Sequence, residues 1–145
     1  MFDKSATLEK LENEYWGPPE YNSRLVIRCH ELRKIKLKDF STEDLRMMIG
    51  QNFSLEYLIP TALEILDKNL FAEGDCYPGD LLGNVLKSKI DWNKHADLKK
   101  QLEEILVKNN FFEELKRIYT EAGDERNELK DYFLEAYNKF KENKI

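Results

Sequence analysis

An all-α fold is predicted for this 145-residue chain by three observations. Apolar residues recur at i, i+3 and i+4 from end to end. No run of alternating β-branched residues gives a strand a foothold. Cap and breaker residues punctuate the chain at intervals of helical length. A chain of this size fits one domain, since domains most often run about 100–150 residues. The reading is therefore a single compact domain over residues 1–145, of seven or eight helices, with the last three amphipathic segments packed on the rest.

Thr7 can cap a short first helix through Glu14, with Leu8 and Leu11 on one face. Trp16-Gly17-Pro18-Pro19 stops it, because consecutive prolines cannot continue a hydrogen-bonded turn. Ser23 offers the next cap, for Arg24 to Lys34, with Leu25, Cys29 and Leu32 as the inner stripe and Val26 alongside. Ser41-Thr42-Glu43-Asp44 has the form of a capping box and starts a helix that fades near Gly50, with Leu45, Met48 and Ile49 inward. Pro60 suits a helix start, which leaves Phe53 to Ile59 as a turn or short helical piece before a helix over Pro60 to Lys68; the alternative is one long helix kinked at Pro60. Glu73 to Asp80 is a loop by composition, with Gly74 and Gly79 offering positive φ and Asp80 offering a cap on the following helix, which ends near Lys87. Pro78 belongs to the same structural turn, and Pro78 or Asp80 begins that helix. Trp92 anchors a connector, and helices follow at Ala96–Asn109, Phe111–Ala122 and Asp124–Glu142, separated by Asn109-Asn110 and by Gly123. Their stripes are Leu98, Leu102, Ile105 and Leu106; then Phe112, Leu115, Ile118 and Tyr119; then Leu129, Tyr132, Phe133, Ala136, Tyr137 and Phe140.

Composition excludes several classes. The 28 acidic against 23 basic residues give a net charge of −5, a poor match to phosphate backbones and a better one to a basic protein. No direct nucleic-acid partner is expected. The N-terminus lacks the apolar core of a signal peptide, and the longest apolar runs span three residues, far below the ~20 of a membrane span. A soluble intracellular chain with no membrane partner is expected. Two cysteines, Cys29 and Cys76, make no disulfide framework, and free thiols are the expectation.

Candidate chemistry mostly fails on spacing. Cys29, His30, Cys76 and His95 contain no metal-ligand pair, and adjacent Cys29 and His30 point about 100° apart on a helix, so no metal and no cofactor is expected. No nucleophile turn, phosphate loop or paired metal histidines are present in the sequence, so no catalytic residue is assigned. Glu73, Asp75 and Asp80 lack the twelve-residue pattern of a calcium loop. Charge is more informative. From Arg24 to Lys38 six bases meet one acid, best read as a solvated helix face and exit turn; from Glu56 to Asp80 six acids meet one base. The acidic stretch is the better working surface, and its loop residues serve backbone geometry at the same time.

Taken in order, one set of residues looks familiar. It runs Tyr15-Trp16-Gly17-Pro18, Leu25-Val26, Cys29-His30-Glu31-Leu32-Arg33, Glu43-Asp44-Leu45-Arg46, Ile49-Gly50-Gln51 and Pro60-x-Ala62-Leu63-Glu64. It closes on Ala72-Glu73-Gly74-Asp75-x-Tyr77-Pro78-Gly79-Asp80-Leu81-Leu82, the most specific part. The set resembles the immunity proteins of bacterial contact-dependent growth inhibition (CDI) systems, over a core of residues 8–102; residues 103–145 form an amphipathic helical extension that the resemblance does not reach. It implies a non-enzymatic cytoplasmic antidote that binds, 1:1, the toxic C-terminal domain of an effector delivered by a neighbouring cell and occludes its active site. Many such toxins are nucleases, whose substrate clefts are basic. The acidic segment then supplies the expected toxin-binding residues: Glu64, Asp67, Glu73 and Asp75, with Tyr57 and Tyr77 as anchors. The other classes open to the sequence are a helical adaptor or regulatory subunit binding a basic protein, and, third, a small hydrolase using buried carboxylates.

Overall fold

The computed structural model describes residues 2–20, 22–120 and 127–142. Eight α-helices and no strand lie among them: α1 Leu8–Glu12, α2 Arg24–Leu32, α3 Thr42–Gly50, α4 Leu55–Lys68, α5 Asp80–Lys87, α6 Ala96–Lys108, α7 Phe111–Thr120 and α8 Asn127–Glu142. A 3₁₀ turn at Leu37–Asp39 joins α2 to α3. All-α is the observed class.

The starts of three helices follow their caps. Thr7 and Ser23 accept from the Lys10 and Val26 amides. At α3 the capping box is complete: Ser41 Oγ accepts from the Asp44 amide at 3.1 Å while Asp44 Oδ2 accepts from the Ser41 amide at 3.0 Å. The end of α1 differs from expectation. The helix stops at Glu12 rather than Glu14, because Asn13 turns left-handed (φ 52°) before the prolines are reached. Asn tolerates that conformation better than other residues with a β-carbon.

At α4 the boundary expected at Pro60 does not occur. One 14-residue helix runs through the proline, as in the alternative reading. Leu58, Ile59, Ala62, Leu63 and Leu66 carry one buried face across it. An interior proline costs about 3 kcal/mol, whereas each fully buried leucine or isoleucine contributes about 1.5–3 kcal/mol. Burial wins.

One apolar core reaches from Leu8 to Phe140. Helix α5 is its centre, packed against α3, α4 and α8, with Leu81, Leu82, Val85 and Leu86 buried. Gly83 lets α8 approach: a β-carbon there would lie 2.9 Å from the Tyr132 ring. The C-terminal extension thus completes the core. Phe133 and Phe140 are fully buried, Tyr132 and Tyr137 half-buried, and Trp92 meets the Phe140 ring edge-on at 5.1 Å. The stripes of α6 and α8 are as expected. That of α7 is rotated: Phe111, Leu115 and Tyr119 are buried, while Phe112, expected inward, stands 54% exposed. The expected break at Gly123, the α7 end at Ala122 and the α8 start at Asp124 lie outside the described residues.

The basic run from Arg24 to Lys38 is not uniformly solvated. Arg33 is 1% exposed. It donates to Glu12 Oε1 at 2.5 Å and to the Glu14 carbonyl at 2.8 Å, and its guanidinium lies 4.5 Å from the centre of the Trp16 ring. Ser54 Oγ donates to the same Glu12 carboxylate at 3.0 Å. This cluster fastens the residues after α1 onto α2 and the start of α4. Both cysteines are free, Cys29 buried and Cys76 exposed, and burial pushes the Cys29 thiol up.

Candidate functional site

The acidic stretch from Glu56 to Asp80 divides between the outer face of α4 and the loop that follows it. The loop is built around one buried carboxylate. Asp80 Oδ1 accepts from the Gly74 amide at 2.7 Å, and Oδ2 accepts from Cys76 at 3.0 Å and Tyr77 at 3.3 Å. This corrects the expected cap. Asp80 is the first residue of α5, Gly79 is the residue before the helix, and no side chain caps it. The carboxylate gathers the loop behind it instead of the helix ahead. Both glycines serve the turn, in different ways. Gly79 has φ 85°, and a β-carbon there would lie 2.6 Å from the Phe71 ring. At Gly74 the constraint is space, since a β-carbon would lie 2.6 Å from Glu43 Oε1. Tyr119 of α7 closes the turn by donating to the Pro78 carbonyl.

From α3, Glu43 and Arg46 brace the loop. Arg46 grips Glu43 with two hydrogen bonds of 2.5 and 2.6 Å, and Glu43 accepts from the Asp75 amide at 2.9 Å. The Arg46 guanidinium, reinforced by that amide, holds the Glu43 carboxyl below its usual range. Glu43 and Arg46 stand at i, i+3, a spacing visible in sequence; their contact with a loop thirty residues away is not.

The expected binding residues fall into three situations. Glu73 and Asp75 are exposed on the loop. Glu64 and Asp67 project from α4, their side chains 65% and 47% exposed, and pair with Lys4 and Lys108. Tyr57 and Tyr77 are engaged in packing: Tyr57 donates to the Leu11 carbonyl at 3.3 Å and meets Phe2 edge-on, while Tyr77 sits against Tyr132 and Phe133. Burial pushes the Tyr77 hydroxyl up.

Between α4 and α6 runs an open groove of about 790 Å³. Glu56, Glu64 and Asp67 line it from α4, and Asp97, Glu104 and Lys108 from α6, with Lys4 and His95 also bordering it. Five carboxylates against two lysines give the groove a negative potential able to receive basic side chains. The α6 contribution lies outside the stretch singled out in sequence. Its signal was the recurrence of Asp97, Gln101, Glu104 and Lys108 at helical spacing, flanking the Leu98 stripe. Among the described residues no helix is long and apolar enough to cross a membrane.

No curated protein and no solved structure matches the chain. A family model described as CDI immunity proteins does, over residues 10–102. The matched segment runs from α1 into α6 and contains the Asp80 loop, the acidic face of α4 and the Arg33 cluster, and it covers well over half of the sequence. The chain belongs to the CDI immunity protein family.

Proposed function

We propose that this protein is a bacterial antidote that binds the toxic C-terminal domain of a CDI effector, 1:1, and blocks it by covering its active site. The family supports the immunity role. The observation that carries the mode of binding is the acidic surface of α4, its facing helix α6 and the loop, where carboxylates outnumber lysines and remain open to a partner. Many toxins of this kind are nucleases. A nuclease must hold a polyanion, so the mouth of its active site is positive and complementary charge steers an inhibitor there. Glu64, Asp67, Glu73 and Asp75 are the docking carboxylates in this reading, with Tyr57 and Tyr77 as packed support behind them rather than projecting anchors. The protein acts by binding, without turnover or cofactor, in the cytoplasm of the cell it protects. A rigid helical scaffold loses little conformational freedom on association, so a standard interface of about 1,600 Å² is sufficient for tight inhibition.

The test is protection. The toxin domain encoded beside this gene is expressed in cells with and without the protein. Restored growth, together with a co-purifying 1:1 complex, is expected. Cell death in the presence of folded protein overturns the reading and favours an adaptor for some other basic partner.

A further inference from the structure

Val107 and Phe112 are large apolar side chains left in solvent, 78% and 54% exposed, and they stand together where α6 turns into α7. Asn110 makes that turn in a left-handed conformation (φ 53°), and of the two phenylalanines that follow, Phe111 enters the core and Phe112 does not. The Phe112 ring is held edge-on to Phe111 at 5.1 Å and to Tyr137 at 4.9 Å. Beside it opens a hollow of about 390 Å³, lined by Leu106, Val107, Phe111, Phe112 and Tyr137. That volume is within the range of small-ligand pockets, roughly 300–1,000 Å³, and suits one large aliphatic or aromatic side chain. Its rim carries Glu113 and the ion pair of Glu103 with Lys141, 2.6 Å apart.

The elbow is continuous with the acidic groove across a single helix. Glu104 and Lys108 of α6 face the groove on one flank, and Glu103 and Val107 face the elbow on the other. A partner seated over this turn of α6 reaches both. An apolar anchor with a polar rim is the layout of an interface hot spot, and Glu113 together with the excess of carboxylates in the adjoining groove selects a partner whose apolar residue is flanked by lysine or arginine.

We infer that the α6–α7 elbow is the anchor site of the toxin interface, receiving an aliphatic or aromatic toxin side chain flanked by basic residues. The inference rests on the antidote role proposed above. It divides the work of binding: the carboxylates set the association rate, and the elbow sets the lifetime of the complex. The site lies beyond residue 102, outside the segment matched by the family model.

Two variants test it, Val107→Glu and Phe112→Ser, both at exposed positions and each checked for unchanged helicity. Surface plasmon resonance with the immobilised toxin domain is expected to show dissociation at least tenfold faster for each, with an association rate near that of the parent and the loss persisting at high salt. A stable parent complex whose dissociation is unchanged in both variants removes the elbow assignment and leaves the antidote role standing. No parent complex at all removes the antidote role, and the elbow assignment with it. A free protein that is dimeric by light scattering, becomes monomeric in Val107→Glu and dissociates from toxin at the parent rate assigns the elbow to a second copy and overturns the proposal.

Discussion

Asp80 and Arg33 are charged side chains buried in the fold, the first 3.9 Å from Arg46 and the second paired with Glu12, and each holds together chain segments that would otherwise separate. Asp80 satisfies three loop amides, and an amide left buried without a partner costs about 1–3 kcal/mol. Asp80→Ala is therefore expected to lose about 3 kcal/mol in urea denaturation, and Asp80→Asn less, because one carbonyl oxygen can still accept. An unchanged midpoint for Asp80→Ala would show that water replaces the carboxylate freely. Arg33 is almost out of solvent and pairs with Glu12, whose side chain is 20% exposed and also accepts from Ser54, so Arg33→Met removes a charge-assisted bond without stranding the carboxylate and is expected to cost about 1.5–3 kcal/mol. The double variant Arg33→Met with Glu12→Gln should lose less than the two single losses added together, and a double loss equal to that sum speaks against the pairing. Glu43 adds a pH dependence. Its carboxyl is held low in the folded protein, chiefly by Arg46, so its contribution is full above the unfolded value near about 4.3 and is lost as pH falls through the lower, folded value. Glu43→Gln should flatten the decline of stability in that acidic window, and equal slopes for variant and parent would refute the assignment.

At the scale of elements, what was legible in sequence was local. Caps at Thr7, Ser23 and Ser41 act within four residues of themselves, so the helix starts they set were readable. The partner of Asp80 was not, because an aspartate at a loop–helix junction can accept amides on either side, and the choice is made by Glu43 and Arg46 from α3. The burial of Arg33 was hidden in the same way, since its acceptors lie around α1. In α7, Phe111 and Phe112 are adjacent, and periodicity alone leaves the phase open by one residue; the stack of Phe111 on Phe71 and Tyr137 decides it. Pro60 was misleading because its local penalty is real and the apolar face around it is larger. The two tyrosines of the expected site were legible as aromatics but not as packed ones. Helix α8 shows how far an element outside the shared family segment is still structural. Phe133 is fully buried, touching Phe71, Tyr77 and Tyr119. Phe133→Ala should cost about 3–5 kcal/mol, read as a lower thermal midpoint. A midpoint at the parent value would mean that α8 packs on a core already complete without it.

For the whole molecule the governing quantity is charge laid out on a rigid frame. A net charge of −5 spread evenly would steer little. Here the groove between α4 and α6 concentrates five carboxylates, and the loop adds Glu73 and Asp75 one short segment beyond the end of α4. In the local pairs Lys4–Glu64 and Lys108–Asp67 the acids are exposed, and such surface pairs contribute about 0–1 kcal/mol to stability. Reversing their acids therefore leaves the fold intact while changing the field that a toxin meets. Two double reversals separate the two parts of the surface: Glu64→Lys with Asp67→Lys in the groove, and Glu73→Lys with Asp75→Lys on the loop. Each is expected to slow association with the toxin domain roughly tenfold or more at low ionic strength, because rim charges act mainly on the encounter rate. The difference from the parent should shrink as salt shortens the screening length from about 30 Å at 0.01 M to about 8 Å at 0.15 M. Dissociation should change far less, in contrast to the elbow variants. A slow association confined to the groove pair would locate docking between α4 and α6, and one confined to the loop pair would move it to the Asp80 turn. Association rates equal to the parent for both pairs across the salt series would remove the acidic surface from the encounter altogether.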